Sequence, residues 1–264
     1  MTITIFTSNQ PRHIALAGAL ARLAGSVFVV QESNTVFPGR VADFFKKSEV
    51  MQDYFAKVIA AERAVFGEPR FLPAGVRSMS LKMGDLSLLP LEALAEALSS
   101  DYFIVFGASF IKGALCDHLV SKKAINIHMG TSPYYRGSSC NFWAMYDGRP
   151  EYVGATVHLL TKGLDSGPML FHALPRPADV DGFELGMRAV KVAHEAVTAR
   201  IADGTLLRLP AIEQDKSRQL RYTRNEHFTE AVAAEYLQRT MPAAEIRTRL
   251  EQRDLSVFLQ PFLA

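Results

Sequence analysis

The sequence predicts an α/β fold, a mostly parallel sheet with helices on both faces, followed by a small, mostly helical C-terminal appendage. Three observations carry this expectation. Residues 2–7 are a β-branched run, residues 13–23 have helical spacing with Leu16, Leu20 and Leu23 on one side, and residues 26–31 are a continuous Val/Phe run of the kind a buried parallel strand shows, so the chain opens as a strand–helix–strand unit. Residues 102–106 repeat the buried-strand signature, with a turn at 107–110 and a short helix over 111–118. With 48% hydrophobic and 21% charged residues among 264, the chain can bury a sizeable core.

In chain order, polar Ser8, Asn9 and Gln10 with Pro11 separate the first strand from its helix. Loops at that sheet edge tend to bind ligands, but this one carries no GxGxxG, so a dinucleotide fingerprint is absent. Residues 37–66 have helix-like spacing (Phe44, Phe45, Met51, Phe55, Ile59) and predict one long helix or two shorter ones. Residues 68–85 are rich in Pro and Gly and predict loop with a short strand carrying Arg77 and Lys82. A helix is expected from Pro90 to Ser99–Ser100, and an amphipathic one over 183–202, ended by Asp203-Gly204. Helices are expected over 230–238 and 243–253, split by Pro242. The division is into a main unit, residues 1–204, and an appendage, residues 205–264, which is too small to stand alone and packs on the body or on a partner subunit.

Composition leaves several classes unsupported. Twenty-nine basic against 27 acidic residues give a net charge of +2, far from the basic excess that nucleic-acid binding favours. Cys116 and Cys140 form no CxxC and no Cys/His cluster, so neither a disulfide framework nor a metal site is expected, and a reducing cytoplasm fits. No stretch has the length and apolarity of a membrane span, and the start lacks the pattern of a secretory leader.

The chemistry concentrates between Ile125 and Leu170. Asn126 and His128 stand two apart on an expected strand, so they share a face. An amide can donate to a developing oxyanion, and an imidazole can move a proton near neutral pH. Alone, an N-x-H is more often a satisfied buried histidine than a catalytic one. Glycines flanking Asp165 in Gly163-Leu164-Asp165-Ser166-Gly167 allow a tight turn that brings a carboxylate toward a neighbouring strand end, where it can orient the imidazole. The Tyr134-Tyr135-Arg136-Gly137 loop adds rings and a cation nearby, and Trp143 follows on a short helix.

In combination these pieces resemble the folate-dependent formyltransferases, the family that includes the methionyl-tRNA, glycinamide ribonucleotide and sugar-nucleotide enzymes. The resemblance runs over residues 1–205 and rests on Asn126-Ile127-His128, Pro133-Tyr134-Tyr135-Arg136-Gly137, Trp143, Gly154-Ala155-Thr156-Val157-His158 and Leu164-Asp165-Ser166-Gly167-Pro168-Met169-Leu170. It implies a Rossmann-like sheet and formyl transfer from 10-formyltetrahydrofolate to an amine, with no metal. Asn126 and a protonated His128 would stabilise the oxyanion, and Asp165 would hold His128. The pterin would lie against Phe106, Gly107, Ser109, Phe110 and Ile111 and against Thr161, Lys162 and Gly163.

The loop departs from the family pattern at Gly130-Thr131-Ser132 and at Ser138-Ser139-Cys140-Asn141, which bears on the acceptor. Without a basic surface or a large C-terminal domain, tRNA is not expected, and Thr7-Ser8-Asn9-Gln10-Pro11-Arg12-His13 is not the glycine-rich phosphate loop of the glycinamide ribonucleotide enzymes. The resemblance is greatest to the sugar-nucleotide N-formyltransferases. A dTDP- or GDP-linked 4-amino-4,6-dideoxyhexose for O-antigen and lipopolysaccharide synthesis is then the expected acceptor, GDP-perosamine among the candidates. Asn9 and Arg12 at a helix N-terminus would meet the nucleotide, and Lys82, Tyr135, Arg136 and Trp143 complete the expected acceptor contacts. The partner is a small molecule rather than nucleic acid or membrane, with a homodimer as a further expectation. The alternatives are a methionyl-tRNA or glycinamide ribonucleotide formyltransferase, a hydrolase of the same cofactor, or a non-catalytic folate-binding module.

Overall fold

The computed structural model describes residues 1–40 and 48–264. β1 (Thr2–Ser8), α1 (Pro11–Ala21) and β2 (Ser26–Ser33) form the expected opening unit. Pro11 starts α1, where its missing N–H removes no helical bond. Within the stretch expected to be helical from 37 to 66, the described helix is α2 (Glu49–Phe66); Ser48 caps it by accepting the Met51 N–H at 3.2 Å, and Gly67 ends it at φ 79°. Phe44 and Phe45 lie outside the described residues.

β3 (Val76–Lys82) is the edge strand after the Pro/Gly-rich loop. The helix expected after Pro90 is instead two single 3₁₀ turns, Leu91–Leu94 and Ala97–Ser99. The reason is competition from β1: the Ala97 carbonyl accepts the Thr4 hydroxyl at 2.6 Å, and the Asp101 N–H donates to the Thr2 carbonyl at 2.9 Å. Those two groups would otherwise have bonded each other in an α-helix. β4 (Tyr102–Phe106), α3 (Gly113–Ser121) and β5 (Ile125–His128) follow. Next come β6 (Tyr135–Gly137), α4 (Cys140–Tyr146), β7 (Ala155–Leu159) and β8 (Met169–Leu174), then α5 (Gly182–Ala202), capped by Asp181 through the Glu184 N–H at 2.8 Å.

The C-terminal stretch holds α6 (Glu230–Gln238) and α7 (Ala243–Glu251) at nearly the expected places. It also supplies two short strands that no sequence pattern marked, β9 (Arg221–Thr223) beside β6 and β10 (Phe262–Leu263) beside β8.

The main sheet has eight strands in the order β10-β8-β7-β5-β4-β1-β2-β3. β3, β2, β1, β4 and β5 run parallel, and β7 is antiparallel to both β5 and β8. The chain leaves β1 toward β2 and β3, then returns to the other side of β1 with β4. That reversal is a topological switch point, where such sheets leave a crevice at their carboxyl edge. One face of the sheet packs on α1 and α5 through Leu16, Leu20, Val190 and Val197, and the other on α3 and the 3₁₀ turns through Leu94, Leu98, Leu115 and Leu119. A third, aromatic core joins α2, α4, α5 and the C-terminal helices around Tyr54, Trp143, Phe183 and Tyr236.

Candidate active site

The crevice between β1 and β4 opens into a cleft of about 310 Å³. Its walls are Arg12 and His13 at the start of α1, Phe106 to Ile111 after β4, Asn126 to Met129 at the end of β5, and Thr161, Gly163, Leu164 and Asp165 on the loop after β7. Of the residues expected to hold the pterin, Phe106, Gly107, Ser109, Phe110, Ile111, Thr161 and Gly163 line this cleft. Lys162 does not: it is largely exposed and paired with Asp117 at 2.6 Å. The turn after β4 is anchored by Glu32, a fully buried carboxylate at the end of β2. Glu32 accepts the Ser109 N–H at 2.6 Å and its hydroxyl at 2.8 Å, and also the Gly84 and Leu86 N–H groups.

Asn126, His128 and Asp165 meet at one end of the cleft. His128 is 7% exposed, and its Nδ1 lies 3.3 Å from Asp165 Oδ2. Burial alone would disfavour the imidazolium, but the Asp165 charge and hydrogen bond and the Cys140 thiol outweigh it and hold the His128 pKa well above its ordinary value. Reciprocally, burial opposes the Asp165 carboxylate, while the charge and hydrogen bond of His128 keep its pKa well below the usual range. At neutral pH the pair is therefore imidazolium and carboxylate. Asp165 reaches this place through a left-handed backbone, φ 45°. Gly167 lets the loop lie against β7, for a Cβ there would sit 1.8 Å from the Leu159 carbonyl oxygen.

Four neighbours of this cluster had no role assigned from sequence. The Cys140 Sγ stands 3.5 Å from His128 Nε2 and donates to the Gly137 carbonyl at 3.3 Å. His158, directly opposite Asn126 across the antiparallel β5–β7 pair, has its Nε2 2.9 Å from the Asn126 amide nitrogen. Gln214 donates to the Asp165 and Gly167 carbonyls at 2.9 and 3.0 Å, pinning the loop from the C-terminal stretch. His13 is buried with its ring 4.9 Å from Phe106; burial, then Arg12 and His194, hold its pKa well below the ordinary value. Gly107, at φ 72°, leaves room for that ring, since a Cβ would lie 2.3 Å from His13 Nε2. His158 was marked in the sequence only as the end of the Gly154-Ala155-Thr156-Val157-His158 motif; its opposite-strand register to Asn126 becomes legible once β5 and β7 are paired.

The residues expected to contact an acceptor separate. Arg12 lines the main cleft and a second one of about 260 Å³, but its Nη1 and backbone N–H both donate to the buried Glu62, at 2.8 and 3.1 Å. Asn9 ties the β1 and β2 ends together through the Asn34 backbone, at 2.8 and 2.9 Å. Tyr135 and Trp143 lie inside the aromatic core, 1% and 3% exposed, and do not line the cleft. Tyr135 sits in the β6–β9 ladder with its hydroxyl on Asp147, and Trp143 stacks under the Arg221 guanidinium at 4.7 Å. Arg136 donates to Gln219 at 3.2 Å, and exposed Lys82 ends the edge strand away from the cleft.

The fold and the site together define an open α/β sheet whose switch-point cleft holds an amide, an imidazolium and a carboxylate, a set suited to group transfer through a charged intermediate. Residues 86–200 match the family model "Formyl transferase". A methionyl-tRNA formyltransferase of Synechococcus sp. is 31% identical over 127 residues, 48% of this chain and 39% of that protein, so the match spans about two fifths of that relative. Among solved structures, a 4-N formyltransferase from Francisella tularensis superposes with a TM-score of 0.52 at 18% identity, covering 88% of this chain and 85% of the other. The formyltransferase PseJ from Anoxybacillus kamchatkensis, solved with UDP-4,6-dideoxy-4-formamido-L-AltNAc and tetrahydrofolate, superposes at 0.51 and 14% identity over 95% of this chain and 100% of the other. At such identities these two likenesses concern the fold.

Proposed function

We propose that the protein transfers a formyl group from 10-formyltetrahydrofolate to the amino group of a nucleotide-linked aminosugar. The observation that carries the reading is the His128–Asp165 ion pair facing the switch-point cleft inside the family-matched domain. The pterin would enter between the Phe106 to Ile111 turn and the 161–163 loop. The amine attacks the formyl carbon, a carbon–nitrogen bond forms, and the carbonyl becomes an oxyanion. The His128 imidazolium answers that charge through Nε2–H, which in the free protein meets only a thiol sulfur. Collapse of the intermediate breaks the bond to the folate nitrogen, which takes up the proton the amine has lost. Asp165 keeps the imidazole charged and oriented throughout.

The acceptor reading leans on the sugar-linked structural relative. A 4-amino-4,6-dideoxyhexose on dTDP or GDP, as used for O-antigen in the cytoplasm, remains the proposed class, with a UDP-linked sugar added by the relative's ligand. The curated relatives favour methionyl-tRNA as the second reading. The test is formyl transfer from 10-formyltetrahydrofolate to a panel of amino-sugar nucleotides beside methionyl-tRNA, glycinamide ribonucleotide and water. Turnover on a sugar nucleotide supports the proposal; turnover on tRNA alone replaces the acceptor, and release of formate without any amine makes the protein a hydrolase.

A further inference from the structure

We propose that His158 is a positioning residue which, with Asp165, turns the Asn126 amide so that its carbonyl oxygen faces the cleft and accepts a hydrogen bond from the incoming amine. This rests on the formyl-transfer reading for the identity of that amine. The orientation itself follows from counting hydrogens.

A carboxamide nitrogen has two N–H groups and its oxygen has none. The Asn126 nitrogen lies 2.9 Å from Asp165 Oδ1 and 2.9 Å from His158 Nε2. Asp165 is a carboxylate and can only accept. On His158, Nδ1 stands 2.8 Å from the Leu159 carbonyl, another pure acceptor, so Nδ1 carries the ring proton and Nε2 is the accepting nitrogen. Both Asn126 hydrogens are thereby committed. The opposite orientation would press the amide oxygen against a carboxylate oxygen and an imine nitrogen at the same short distances, two repulsive contacts where there are now two bonds.

The surroundings leave little room for this to change. Asn126 and His158 are paired across β5 and β7, His158 is 1% exposed, and Gly167 and Gln214 fix the loop that presents Asp165. Asn126 lines the cleft, and among the described residues its Oδ1 has no hydrogen-bond partner and is not sealed from solvent. It faces open space as an acceptor. The expectation that Asn126 donates to the oxyanion therefore gives way to a division of labour. Asn126 receives an N–H of the amine, aiming its lone pair at the formyl carbon and supporting the positive charge that builds on nitrogen, while the oxyanion falls to His128.

The test uses the full chain with ¹⁵N-labelled histidine and asparagine. Expected is a His158 ring protonated on Nδ1 alone, and Asn126 side-chain hydrogens exchanging with solvent on the order of tenfold or more slower than those of exposed asparagines. A His158 ring protonated on Nε2, or Asn126 hydrogens exchanging at the exposed rate, would overturn the proposal. For kinetics, His158→Gln keeps an acceptor oxygen and His158→Phe removes it. Expected is a fall in kcat of about tenfold for Phe with KM for the folate donor unchanged, and a several-fold smaller fall for Gln. Equal effects from both variants contradict the positioning role. Wild-type protein inactive on every amine would end the formyl-transfer reading, and the labelling result would still decide the amide orientation.

Discussion

Two ion pairs border the same cleft and are built to different ends. Between His128 and Asp165, both side chains reach the cleft wall, and the anion is tied in place by Asn126 and by the grip of Gln214 on the carbonyls of its loop. Between Arg12 and Glu62, a buried carboxylate already occupies both the guanidinium and the first free N–H of α1, the place where a ligand phosphate would bind. One pair keeps its cation available for charge that develops during reaction. The other lends its cation to the fold, linking α1 to α2, and gives it to a ligand only if Glu62 is displaced. An identical pairing of basic and acidic side chain thus marks chemistry in one wall and architecture in the next.

Breaking the first pair should have the largest effect. Asp165→Asn is expected to lower turnover by roughly a thousandfold and His128→Asn by at least about a hundredfold, with KM for the folate donor little changed, measured by steady-state formyl transfer. A pure KM effect would move the pair out of the chemistry. The second pair should respond in the opposite sense to its two halves. Arg12→Ala is expected to raise KM for an anionic acceptor by about tenfold, and Glu62→Gln, which frees the guanidinium, to lower it several-fold, both without change in donor KM. If both variants weaken the acceptor equally, Arg12 serves only to join α1 to α2. The smallest effects are expected at exposed cations that do not line the cleft. Lys162→Ala and Lys82→Ala should leave kcat and both KM values within about twofold, as suits exposed charges.

Much of this was legible from the chain. The strand–helix–strand opening, the buried run at 102–106 and the α5 helix appear where spacing put them, because strong periodicity and apolar runs survive tertiary context. The 91–99 stretch was not, since two backbone groups that a helix needs are used by β1 instead. β9 and β10 are too short to carry a pattern and exist only because β6 and β8 offer edges. In the site, Asn126, His128 and Asp165 could be read only from their order together with the Tyr135-Arg136-Gly137 turn, since each alone fits a structural role as well. Arg12 was expected to meet the nucleotide; it lines the cleft with a glutamate 50 residues away paired to it, while Tyr135 and Trp143, expected at the acceptor from their nearness in sequence to His128, are buried in the aromatic core. Cys140 and Gln214 gave no local signal, because their importance lies wholly in which loop they touch.

The most direct test is the pH dependence of kcat for formyl transfer. A group whose pKa is raised on folding is charged, and contributes its stabilising pairing, at low pH, and loses both as pH rises through the folded value. For His128 the folded pKa lies well above 6.5, and Asp165 stays ionised to well below its usual range. Wild-type turnover should therefore hold through neutral pH and fall only on the alkaline side, and residual turnover of Asp165→Asn should fall at distinctly lower pH. The same alkaline limb in wild type and Asp165→Asn would contradict the account, because the imidazolium would then not owe its charge to Asp165.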